Sequence, residues 1–217
     1  MRVSDVPMPR AVAARPRDER GYPVLAITPW EDGQPRFAAT GTSRTYICAV
    51  ERRCSVCGLV MADGPVWRVV SGAEADAIAE ARAAGQAYVN RLATVEAPGH
   101  RDCMLYAAVV CPYLSRPTAR RGDAAELPGL VAGRGDQRGL GGAVVGFDRV
   151  EFRLADVVLF RFHGVFEFRQ HQLGDEQLDE LRIAVAGESN DPLEVAPAYL
   201  GTDEAAAEAR ANAYLAG

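Results

Sequence analysis

Apolar and polar positions alternate differently in successive parts of the chain. Residues 1–20 mix proline and charge with little periodicity, which predicts an irregular arm. Pro23 to Trp30 is a short apolar run with strand character, and Glu31 to Pro35 carries turn chemistry. Arg36 to Ala39 then reads as the returning half of an N-terminal β-hairpin. Thr45 to Val50 is apolar and β-branched and predicts another strand, as does Val66 to Val70. Ala73 to Val89 is alanine-rich, with Ala75, Ile78 and Ala81 at helical spacing. His100 to Val110 predicts a helix that begins after Pro98-Gly99 and is stopped by Pro112.

Residues 115–142 are dense in glycine and hold Arg116, Arg120, Arg121, Arg134 and Arg138, a composition that predicts a linker or loop. Beyond it, Phe160, Phe162, Phe166 and Phe168 alternate with Arg161, His163, Glu167 and Arg169. That period of two predicts a half-buried strand, or a hairpin around Gly164. Two helices are expected after it. Asp175 to Val185 places Leu178, Leu181 and Val185 on one face, and Thr202 to Leu215 has Thr202 at its N-cap. The pattern divides the chain into an arm (1–20), a metal-binding domain (21–117), a Gly/Arg-rich linker (118–142) and a C-terminal β-hairpin with helices (143–217).

Composition narrows the class. The chain has 217 residues, 48% hydrophobic and 24% charged, enough for a sizeable core. It lacks the run of about 18 apolar residues that a membrane span needs. The N-terminal residues lack the apolar stretch of about 7–15 residues of a secretory signal. A cytoplasmic setting is therefore expected, where cysteines favour metal over disulfides. Every basic residue is arginine, and with abundant alanine and glycine this suits a GC-rich bacterial genome. A net charge of −5 and a pI near 5.3 weigh against nucleic-acid binding by bulk charge. A local patch at Arg116, Arg120 and Arg121 could still grip phosphates or a partner's carboxylates.

The chemistry-bearing residues are two short pairs. In Cys54-Ser-Val-Cys57-Gly58 the two-residue gap lets both thiolates face one ion, and the glycine gives the backbone room to turn. His100-Arg-Asp-Cys103 repeats the gap at a helix start, where positions three apart share a face. Cys54, Cys57, His100 and Cys103 are thus the expected ligands of one structural zinc per chain, since four protein ligands leave no open position. Cys111 lies two turns beyond Cys103, roughly 12 Å along a helix, too far to share the ion. Cys48 is a less apt substitute ligand.

A knuckle, a strand-rich insert and two ligands at a helix start resemble a treble-clef zinc finger over about Cys48 to Leu114. The fold class expected is therefore α+β: a treble-clef-like zinc module, an N-terminal β-hairpin and a C-terminal strand-plus-helix region. Pro16 to Pro23, Arg53 to Gly58, Asn90-Arg91, Glu96 to Cys103, Tyr106-Ala-Ala and Cys111 to Pro117 together resemble a family of uncharacterised proteins of actinobacteria and their phages. The resemblance implies a small cytosolic protein with the same metal pattern, and gives no mechanism.

Other constellations have plainer readings. The phenylalanine stripe could stack bases, but such a stripe is more often core. Gly133 to Gly142 lacks the Gly-Lys-Ser/Thr ending of a phosphate loop. His163, Glu167 and His171 would share a face of one continuous strand, an arrangement open to acid–base chemistry or a second metal. The functional expectation is a non-catalytic binding module, with a protein partner first and nucleic acid through Arg116 to Arg121 second. An enzyme with its site near His163 is the third possibility.

Overall fold

The computed structural model of the protein describes residues 5–37, 39–88, 94–111, 142–171, 176–189, 191–193 and 198–216. Its elements, in chain order, begin with α1 (Arg10–Ala13), β1 (Trp30–Glu31), β2 (Gln34–Pro35) and α2 (Thr42–Val50). There follow β3 (Val66–Ser71), α3 (Gly72–Ala83), α4 (Arg101–Val110), β4 (Gly142–Leu154) and β5 (Val158–His171). The last are α5 (Glu176–Ala186) and, after a 3-10 turn at Ala198–Leu200, α6 (Glu204–Leu215). Among the described residues the fold is mixed α and β with two small antiparallel sheets, β1-β2 and β3-β4-β5.

The larger sheet joins both halves of the chain. In β3, Val66, Arg68 and Val70 are buried while their neighbours are partly exposed, the period-two pattern of a one-sided strand. They pair with Phe147, Val145 and Ala143 of β4. On this sheet pack α3 and α4, with α5 against α4, and the main core runs from Val6 and Val12 through Cys54, Cys57 and Cys103 to Leu178 and Leu181. The segment expected as an irregular arm thus contributes two core valines and the short helix α1. A smaller cluster of Ala26, Ile47, Cys48, Leu200, Ala207 and Ala211 seats α6 on α2.

Several local expectations are corrected. Thr45 to Val50 is helical: Thr45, Ile47 and Cys48 are buried with Arg44 on α2, so packing overrides β-branched propensity. The N-terminal hairpin has only two residues per strand, and Asp32 and Gly33 turn with φ of 50° and 75°. The stretch before it is not a strand. The helix expected to Val89 stops at Ala83, where Gly85 takes φ 65° and Gln86 N–H donates to the Ala81 carbonyl, closing a Schellman cap. Asp203, not Thr202, caps α6, its carboxylate accepting from Ala206 N–H at 2.9 Å. The long hairpin turns at residues 155–157, not at Gly164, which lies within β5.

Register explains why the phenylalanine stripe divides. Phe147 pairs with Val165, but Gly146 pairs with Glu167, so β5 carries one extra residue there. Phe160 and Phe162 lie in the core, whereas Phe166 is 45% exposed and packs edge-on against Trp67, ring centroids 5.7 Å apart. Gly146 has no room for a side chain, because a Cβ there would stand 2.8 Å from Trp67 Nε1 and 2.6 Å from Phe166 Cζ.

Candidate metal centre

Cys54 and Cys57 sit on a tight knuckle. Arg53 and Val60 form an antiparallel bridge, Cys54 N–H donates to the Leu59 carbonyl and Gly58 N–H to that of Cys54, both at 2.9 Å. Gly58 takes φ 80°, the left-handed conformation the turn demands. The Arg53 guanidinium bonds the Gly58 carbonyl at 3.0 Å and Glu51 at 2.6 Å, bracing the knuckle from outside.

The second pair reaches the first through the backbone. Ser55 N–H donates to the Pro98 carbonyl at 3.0 Å, and Ser55 Oγ to that of Ala97 at 3.2 Å. Gly99 exchanges two hydrogen bonds with Trp67 of β3, at 2.9 and 3.0 Å. A Cβ on Gly99 would stand 2.9 Å from Cys54 Sγ, so only glycine lets the chain pass so close to that sulfur. His100 is the N-cap of α4 and Cys103 lies in its first turn.

The ligand atoms of Cys54, Cys57, His100 and Cys103 all lie within 4.8 Å of one another, close enough to share a metal ion. The three sulfurs belong to side chains at most 2% exposed. His100 Nδ1 lies 3.4 Å from Cys57 Sγ, while Nε2 lies 3.3 Å from the Val60 carbonyl oxygen. A carbonyl only accepts, so Nε2 carries a proton, and Nδ1 is the ring atom that faces the sulfurs and could bind a metal once its own proton is lost. Such an outer contact orients the ring of a histidine that ligates a metal. His100 N–H donates to Cys54 Sγ at 3.4 Å.

The electrostatics fit a cation. Burial opposes ionisation of Cys54, but the sulfurs of Cys103 and Cys57 and the His100 ring outweigh it and hold this thiol well below its ordinary range. Cys54 then pushes Cys103 well above its range, with Cys57 and burial adding to the effect. Cys103 favours ionised Cys57, yet Cys54 and burial together raise that thiol too. Burial disfavours a charged His100, but Cys54 and Cys57 carry it up to about 10. Three sulfurs this close cannot all ionise against one another, and a divalent cation removes that conflict.

Among the other cysteines, Cys48 is buried but outside the cluster, and Cys111 is half-buried and also outside it. Arg116, Arg120 and Arg121, with the Gly/Arg-rich segment through residue 141, lie outside the described residues. The side chain of His171 does as well. The extra residue in β5 separates His163 from Glu167. His163 Nε2 lies 3.3 Å from Glu151, while Glu167 accepts from Trp67 Nε1 at 2.8 Å and from Arg101 at 2.8 and 2.9 Å.

One neighbour of the centre escaped the sequence pattern. Arg15 is buried, with Nε donating to the Val24 carbonyl at 2.9 Å. Burial and the Arg44 charge lower its pKa to about 10 against the opposing pull of Cys57, Cys48 and Cys54, so it stays charged at neutral pH. Arg15 lies far from the knuckle in sequence, and only the Arg-Asp-Glu-Arg composition around it is visible there. Comparison with protein-family models, curated proteins and solved structures gives no match.

Proposed function

We propose that this chain is a zinc-stabilised, non-catalytic binding protein whose metal stiffens a surface for a protein partner. One observation carries the reading: three buried sulfurs and a histidine nitrogen converge within 4.8 Å, a complete tetrahedral donor set. Soft thiolates with one imidazole favour zinc over the oxygen-seeking divalent ions. Four protein ligands leave no position for a water or substrate, so the ion holds structure and performs no hydrolysis. A treble-clef-like arrangement is part of this proposal, supported by the Arg53–Val60 knuckle, the intervening β3, and ligands at the start of α4. So is kinship with the actinobacterial and phage family, on the motif residues alone. A protein partner accords with the acidic balance and with Phe152 and Leu154, two residues apart on β4 and 43% and 42% exposed.

Cobalt substitution tests the closed coordination shell. The cobalt(II) protein is expected to show a tetrahedral spectrum that azide or thiocyanate leaves unchanged. A band shift on adding either anion would mark an open coordination position and overturn the non-catalytic reading.

A further inference from the structure

We infer that Arg15 is the counter-cation of the metal–thiolate centre, and that its charge determines how tightly the site holds a divalent ion. The inference rests on the metal-site reading above and adds to it a residue outside the ligand set.

Among the described residues three arginines are buried, at 5% exposure for Arg15, 0% for Arg44 and 1% for Arg68. A buried charge is stable only when an opposite charge stands close to it. Arg44 has Glu204 at 2.7 Å, and Arg68 has Glu96 at 2.7 Å with Glu74 beside it. Among the described residues Arg15 has no carboxylate partner. Its Nε is used on the Val24 carbonyl, and its buried Nη2 has no hydrogen-bond partner there. The guanidinium lies against the knuckle: a Cβ on Gly58, the residue after Cys57, would stand 3.5 Å from Nη1. Val24 and Ala26 hold this arrangement in place, since Ala26 N–H donates to the Val56 carbonyl inside the knuckle at 3.0 Å.

The charge count completes the argument. Three thiolates and a neutral imidazole around a divalent cation leave one net negative charge in a buried place. That anion needs a cation as much as Arg15 needs an anion, and in a low-dielectric interior the two stabilise each other strongly. Charged neighbours of this kind typically change metal affinity by one to two orders of magnitude.

The test uses the full chain with zinc(II) and cobalt(II) as probes, in wild type, Arg15→Met, Arg15→Gln and Arg15→Lys. Zinc affinity is read by competition with a chromophoric chelator, and the cobalt form gives the sulfur-to-metal charge-transfer band. Arg15→Met and Arg15→Gln are expected to bind zinc about ten- to a hundred-fold more weakly. Their band should move to lower energy, because losing a positive charge on the sulfur side raises the donor orbitals. Arg15→Lys, which keeps the charge, should stay within a few-fold of wild type with the band unmoved. A purely structural arginine would weaken all three variants alike and leave the band energy alone, and that result would overturn the inference while the metal site stands. If Arg15→Met does not fold, Arg15→Gln and Arg15→Lys carry the same comparison. Failure of the wild type to take up either metal would overturn the metal reading, and this inference with it.

Discussion

At the scale of single residues, the centre depends on a few atoms in tight places. Gly99 is the sharpest case: an added methyl would meet Met104 Cε at 2.4 Å and Cys54 Sγ at 2.9 Å. The methionine tip can swing away, but the sulfur cannot move without leaving the cluster. Gly99→Ala is therefore expected to cost about 1–3 kcal/mol of stability and to lower the metal content of the purified protein. Thermal melts paired with elemental analysis check this, and an alanine variant with full metal and an unchanged melt would contradict it. The four clustered residues were legible in the sequence because each pair is a local motif whose gap already specifies convergence. Gly99, the Val60 carbonyl and Arg15 were less so. Pro98-Gly99 reads only as a helix breaker, and a backbone carbonyl leaves no mark on residue type. Arg15 acquires its meaning from a contact that only the folded chain creates.

Among elements, α2 shows how local preference yields to packing. Its β-branched residues favour a strand, yet Arg44, Ile47 and Cys48 recur at helical spacing and are buried against the 3-10 turn and α6. The phase of β5 was equally hidden, because one inserted residue leaves no signature in an alternating pattern. The end of α3 was misplaced at Val89 although Gly85, a Schellman stop, stands in the sequence. The docking of α6 on α2 also has an electrostatic side. Burial raises the Glu51 carboxyl, but hydrogen bonds from Arg53, Tyr199, Arg210 and Tyr214 outweigh it and bring its pKa down to about 2. A folded value below the ordinary 4.5 means this group stabilises the fold above the ordinary value. The contribution is lost as pH falls through the window from about 4.5 to about 2. Glu51→Gln should melt lower than wild type at neutral pH, and the two should approach each other as pH falls through that window. Parallel melting curves across the window would show that Glu51 contributes nothing to the docking.

In the whole molecule, β3 and β4 are neighbours in one sheet although the Gly/Arg-rich segment separates them in sequence. The sequence shows a strand at Val66 to Val70 and a β-hairpin within 143–217, but nothing in it pairs the two, because pairing across such a distance is set by the shared core. The consequence is that the metal centre is not a detached module. Gly99 hydrogen-bonds β3, α4 packs on the sheet, and Arg101 beside the ligand His100 reaches Glu167 on β5 and Glu180 on α5, each at 2.8 Å. Among the described residues no helix is long and apolar enough to cross a membrane. Metal binding and folding of this shared core are expected to be one event, with much of the binding free energy appearing as stability.

That claim is tested most directly by elemental mass analysis of wild type and Cys54→Ser purified without chelator, with thermal melts before and after chelation. The account predicts one zinc per wild-type chain, its loss in Cys54→Ser, and collapse of the cooperative melt when chelator removes the ion. Wild-type protein that carries no metal, or that melts unchanged after chelation, would contradict it.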